Sequence, residues 1–95
     1  MNLLIVEDEV QLADALAEIL YRNKYHVDTV YNGEDGLHYA STGIYDCIVL
    51  DIMLPILDGI SVLRMLRKQK ISTPVLLRQT LPIKSTVWIA VQTTT

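Results

Sequence analysis

Two short apolar runs, one at the start and one at the middle of the chain, each end abruptly in acid. Leu3-Leu4-Ile5-Val6 runs into Glu7-Asp8-Glu9, and Cys47-Ile48-Val49-Leu50 runs into Asp51. Continuous apolar runs of this length, rich in β-branched residues, read as strands covered on both faces, as in a parallel sheet between helical layers. Elsewhere the apolar positions take helical spacing. Val10, Ala13, Leu16, Ala17 and Leu20 predict a helix over about Val10 to Asn23 with that stripe in the core. Ile60, Leu63 and Leu66 predict another over about Ile60 to Lys70, with Arg64, Arg67 and Lys68 outward. His26 to Tyr31 reads as a second strand ending at the turn signal Asn32-Gly33, and a short helix over about Glu34 to Ser41 closes at Gly43. Val75 to Leu77, preceded by Ser72-Thr73-Pro74, begins a fourth strand. Strands alternating with helices predict an α/β fold with a doubly wound parallel sheet.

Ligands of such sheets sit outside the carboxyl ends of the strands. If the two acid-terminated runs are neighbours, Glu7, Asp8 and Asp51 converge there. Three crowded carboxylates repel one another, and a hard divalent cation such as Mg²⁺, keeping some of its waters, relieves the repulsion. For Glu7-Asp8-Glu9 alone, a helix cap and first-turn charges complementing the helix dipole are an equal alternative. Asp51 is harder to explain that way, because it stands between Leu50 and Ile52 ahead of a Pro-containing loop, where a plain turn would not need an acid.

Composition narrows the function classes. The 95 residues carry a net charge of −3 with Lys and Arg scattered, which excludes a basic nucleic-acid surface. No apolar run approaches a membrane span, and Met1-Asn2 leads straight into the first strand without a signal peptide. The lone Cys47 lies in a strand as packing and has no partner for an internal disulfide, so the cytoplasm is the expected compartment. His26 and His38 lack a second ligand at metal spacing and are read as exposed polar residues. Tyr21, Tyr25, Tyr31, Tyr39 and Tyr45 form no stripe and are read as half-buried packing.

Three segments, Leu4-Ile5-Val6-Glu7-Asp8-Glu9, Asp46-Cys47-Ile48-Val49-Leu50-Asp51-Ile52-Met53-Leu54-Pro55 and Asp58-Gly59, together resemble the receiver domain of bacterial two-component response regulators. The likeness is to the subfamily that also carries a winged-helix DNA-binding domain. It implies a flavodoxin-like fold in which Asp51 is the phosphoacceptor, taking its phosphoryl group from a phosphohistidine on a sensor histidine kinase. It also implies Mg²⁺ held by Asp8 directly, Glu7 through water, Asp51, and the backbone carbonyl of Met53. Pro55 and Gly59 would shape the covering loop, Pro through its fixed φ and Gly through unusual backbone angles. No turnover of an independent substrate is implied. A competing reading is a metal-dependent phosphohydrolase or phosphotransferase with Asp51 as nucleophile. The haloacid-dehalogenase type wants a second acid two residues later, where Met53 stands.

The resemblance runs from Met1 to about Leu77, so residues 1–77 are read as an incomplete receiver and 78–95 as a tail outside the family. Five residues from Pro74, where the family places a hydroxyl, stands Gln79, and Thr80 comes one place late. The family's strand-end Lys has no counterpart, since Lys84 follows Pro82-Ile83 in no such context. Val87 to Thr94 can be back-translated so that a frame starting at the last base of the Thr86 codon spells Gly-Leu-Asp-Ser-Gly-Ala-Asp-Asp, a receiver-like phrase. A frameshift near Leu77 accounts for that agreement. The chain then lacks the family's last helix, strand and helix, and Thr93-Thr94-Thr95 is a frayed end. Thr86 to Val91 is strand-prone and is expected to extend the sheet, by a hairpin about Pro82-Ile83-Lys84 or, chiefly, between two copies with Trp88 buried. A homo-oligomer is therefore expected, and an intertwined oligomer without a signalling role is the third reading.

Overall fold

The structure, a computed structural model, describes residues 1–80 and 86–91. The apolar runs form the parallel strands β1 (Asn2–Val6), β2 (His26–Val30), β3 (Cys47–Asp51) and β4 (Val75–Thr80), and the helices between them are α1 (Val10–Arg22), α2 (Gly33–Ala40) and α3 (Gly59–Lys68). A last strand, β5 (Thr86–Val91), completes one sheet of order β2-β1-β3-β4-β5. β1 lies between β2 and β3, so the chain winds outward in both directions from it, as the alternating pattern requires.

Alternation along the strands divides the sheet into two faces. Leu4, Val6, Ile48, Leu50, Val75 and Leu77 pack with Ala40, Tyr45, Val62 and Leu66 beneath α2 and α3. Each of the larger of these side chains contributes roughly 1.5–3 kcal/mol by leaving water. The opposite face, carrying Ile5, Val49 and Leu76, meets α1. Between α1 and β5 it leaves a cavity of about 190 Å³ lined by Ile5, Leu16, Ile19, Leu20, Val49, Leu76 and Trp88. The predicted stripe of α1 is accordingly covered in part: Ala13 is buried, Leu16, Ala17 and Leu20 are half-buried, and Val10, in the first turn beyond β1, is exposed. No second helix shares that face among the described residues.

Other expectations are corrected in the same way. β4 begins at Val75 as expected and runs to Thr80, where Arg78, Gln79 and Thr80 find ladder partners in β5, a strand from the segment expected to lie outside the family. β5 pairs antiparallel with β4 of its own chain, from Val75↔Val91 to Thr80↔Thr86, so the sheet is mixed. The added strand thus forms within one chain, and Trp88 is 43% exposed instead of buried between copies. The expected turn at Pro82-Ile83-Lys84 and the end at Thr93-Thr94-Thr95 lie outside the described residues. Asn32-Gly33 is a helix start, with the Asn32 side chain accepting from Asp35 N–H at 2.8 Å. Arg67 turns inward, donating to the carbonyls of Ile71 and Thr73. The tyrosines divide: Tyr45 is buried, Tyr25 is half-buried, and Tyr21, Tyr31 and Tyr39 are exposed.

Candidate functional site

The register of the parallel strands builds the site. Val6 pairs with Leu50, so Glu7 and Asp51 stand side by side one step beyond, and Asp51 pairs in turn with Arg78. Glu7 and Asp51 are buried, Asp8 is exposed, and a carboxylate oxygen from each lies within 4.8 Å of the others. The sequence-predicted acids therefore converge as the strand pattern required. The cap alternative for this segment fails: Glu9 occupies the N-cap position of α1 without a side-chain bond, and the helix has no acid in its first turn. Glu7 instead turns into the site, where burial and the adjacent Asp51 carboxylate raise its pKa to about 7 against the opposing pull of the Glu9 N–H and Arg78.

Each oxygen of the two buried acids already has a donor. Glu7 Oε1 accepts from Glu9 N–H at 3.2 Å and Asp51 Oδ1 from Met53 N–H at 3.1 Å. Arg78 Nη1 bridges the other two, 2.7 Å from Glu7 Oε2 and 3.2 Å from Asp51 Oδ2. Arg78 is the site residue that strand counting from Pro74 passes over. Its signal was a lone cation continuing the apolar run Val75-Leu76-Leu77, on the strand next to the one that ends in Asp51.

The loop after Asp51 fixes the rim. An open cleft of about 500 Å³ beside the acids is lined by Asp8, Ile52, Met53, Leu54, Pro55 and Asp58. Met53 is exposed, leaving its backbone as the part at the site. Gly59 does not adopt unusual backbone angles. Its hydrogen is needed because a Cβ there would collide with the backbone carbonyl of Asp51, while the left-handed residue of the loop is Ile56, at φ 72°. The Pro55 carbonyl accepts from Leu57 N–H and from Gly33 N–H, tying the loop to α2. Asp58 caps α3, accepting from Ser61 N–H and Oγ–H at 2.9 Å each, and these bonds lower its pKa. Gln79 is half-buried opposite Val87 in β5. His26 and His38 are exposed, and Cys47 is half-buried with its thiol pKa pushed up by burial.

Residues 3–81 match the sequence pattern of the family described as response regulator receiver domain. The chain is 46% identical over 76 residues to the transcriptional regulatory protein DltR of Streptococcus agalactiae, an overlap covering 80% of this chain and 34% of that protein. It thus spans about a third of the length of the curated relatives it matches. The receiver domain of Francisella response regulator 1452 superposes with a TM-score of 0.81 at 36% identity, over 85% of this chain and 67% of that one. Response regulator TrrA of Thermotoga maritima, solved in complex with Mg²⁺-BeF, superposes with a TM-score of 0.74 at 36% identity, over 80% of this chain and 66% of that one. With its acids at the carboxyl ends of β1 and β3, the chain belongs to the response regulator receiver domain family, the phosphoacceptor modules of two-component signal transduction.

Proposed function

We propose that Asp51 is the phosphoacceptor of this receiver and that its phosphodonor is a sensor histidine kinase. The convergence of Glu7, Asp8 and Asp51 at the ends of adjacent strands carries the reading. An Asp51 carboxylate oxygen attacks phosphorus, the new O–P bond forms as the histidine N–P bond breaks, and the freed imidazole keeps the electron pair and takes a proton. Met53 N–H holds Asp51 Oδ1 and so fixes the carboxylate plane. The open cleft along Met53, Leu54 and Pro55 gives a donor side chain access to the acids.

The donor set fits a hard cation: three carboxylates with oxygens within 4.8 Å of one another, two of the residues buried, and Glu7 raised in pKa by burial and by the adjacent Asp51 carboxylate against the opposing pull of Arg78. Mg²⁺ would be held by Glu7, Asp8, Asp51 and the backbone carbonyl of Met53. When bound, it neutralises charge on the phosphoryl oxygens. The test is incubation with acetyl phosphate, with and without Mg²⁺, followed by intact mass. One added phosphoryl group that requires Mg²⁺ and vanishes in Asp51→Asn is expected. Equal modification of Asp51→Asn rejects the assignment.

The reading places the chain in the cytoplasm, away from nucleic acid, as its net charge of −3 suggests. No helix among the described residues is long and apolar enough to cross a membrane. A second copy of the chain is proposed as partner for the apolar face around Ile19 and Trp88, both exposed. The winged-helix output of the wider subfamily and the frameshift origin of residues 78–95 also remain within this proposal. The back-translation of Val87 to Thr94 supports the latter.

A further inference from the structure

Arg78 is held more firmly than a surface cation would be. Its backbone is fixed on both sides, paired with Asp51 of β3 and Trp88 of β5, and its side chain is 13% exposed. Nη1 takes one oxygen from each buried acid, and backbone N–H groups take the other two. A hard divalent cation binds carboxylate oxygens at roughly 2.0–2.1 Å. With a guanidinium nitrogen against both Glu7 Oε2 and Asp51 Oδ2, one lone pair of each is taken and a like charge stands beside any cation that would use the other.

We propose that Arg78 is a tethered cation that competes with the divalent metal for the Glu7 and Asp51 carboxylates and so sets the metal affinity of this site. The inference rests on the reading that the acidic pocket binds Mg²⁺. Because the Arg78 backbone is locked in two ladders, only its side chain can swing away to relieve that repulsion when a metal enters. Two charge-assisted hydrogen bonds are given up in that movement, and the leaving group carries the same sign as the incoming ion. The resident cation is covalently attached, so it is never diluted away. A metal-free site therefore stays closed and charge-compensated at low metal concentration.

The experiment uses the full chain and needs no phosphorylation. Mg²⁺ is titrated into the natural protein and into Arg78→Leu, with calorimetry reporting affinity. Tighter binding by about tenfold or more in Arg78→Leu is expected, the factor that one charge-assisted hydrogen bond represents. Equal or weaker binding by the variant overturns the competition while leaving the metal site standing. No binding to either protein removes the metal reading and the competition with it. Where Arg78→Leu does not fold, the natural protein decides alone: the Arg78 guanidinium NMR signals are expected to be rotationally restrained without Mg²⁺ and released at saturation. Signals unchanged at saturation overturn the proposal.

Discussion

The backbone carbonyl of Leu57 fills the space that a Cβ on Gly33 would need, and the carbonyl of Asp51 does the same to Gly59. Backbone cannot rotate aside as a side chain can, so Gly33→Ala and Gly59→Ala must move the loop that rims the site. Each is expected to cost about 3 kcal/mol, the upper end for overpacking a tight contact. Gly43→Ala is the control: that residue is at φ 75° with open space around it, so only left-handed strain of about 1 kcal/mol is expected. Urea unfolding of the three variants checks the order, and equal midpoints would reject close approach as the reason for Gly33 and Gly59.

Tyr45 joins the α2–α3 face to β2. Its ring is buried, and its hydroxyl donates to Asp28 Oδ2 at 2.6 Å. Burial first, and then the Asp28 bond and charge, push the Tyr45 pKa above its ordinary value of 10.0. A raised folded-state pKa contributes stability that is fully present below the unfolded value and lost as pH rises toward the folded one. Stability is therefore expected to fall with pH above about 10, where the unfolded chain gives up a proton that the native chain retains. Tyr45→Phe should lose about 1 kcal/mol at neutral pH and show a flatter alkaline slope, measured by denaturant midpoints across the pH series.

The strands and the acidic site were legible because both follow from local pattern. A buried parallel strand needs an unbroken apolar run, and the acids that end β1 and β3 are adjacent once those strands pair. What the sequence left obscure depends on register between distant segments. Arg78 belongs to the site only because β4 pairs Arg78 with Asp51, a relation across 27 positions that no periodicity encodes. Gly59 is a glycine for space and not for φ, which shows only when the Asp51 carbonyl arrives beside it. The fate of Thr86 to Val91 went against the favoured expectation, since the strand pairs with β4 of its own chain and not with a second copy. Strand propensity identified the strand without identifying its partner.

One acid is expected to be enough to hold Arg78, whose Nη1 meets both Glu7 and Asp51. The single variants Glu7→Gln and Asp51→Asn each leave Nη1 a carboxylate, and each removes repulsion between two adjacent acids, so small changes in metal-free stability are expected. The double variant leaves a guanidinium that is 13% exposed with neither partner. Losing the last partner of a buried charge costs about 3–5 kcal/mol, discounted toward the lower figure by the exposure that remains. Thermal or urea unfolding of all four proteins should thus give a double-variant loss well beyond the sum of the single ones. Additive losses would show that Arg78 is not the shared partner.

Ile19 on α1 is 58% exposed and Trp88 on β5 is 43% exposed, and both border the cavity on the face where α1 is the one helix among the described residues. An apolar patch in that position favours association. Burial of a second copy's apolar side chains against Leu16, Leu20 and Leu76 would remove the water-exposed lining. Sedimentation over a concentration series is expected to show a monomer–dimer equilibrium, with Trp88 emission shifting to the blue as dimer forms. Ile19→Lys should move the equilibrium toward monomer without touching the β4–β5 ladder, because Ile19 lies on the helix. Trp88→Gln should do the same while keeping its backbone pairing with Arg78. The choice of Gln avoids setting a second cation directly across from Arg78, where like charges destabilise a strand pair. A natural protein that stays monomeric at the highest concentration, with fully quenchable Trp88, would reject the second copy as the partner of this face.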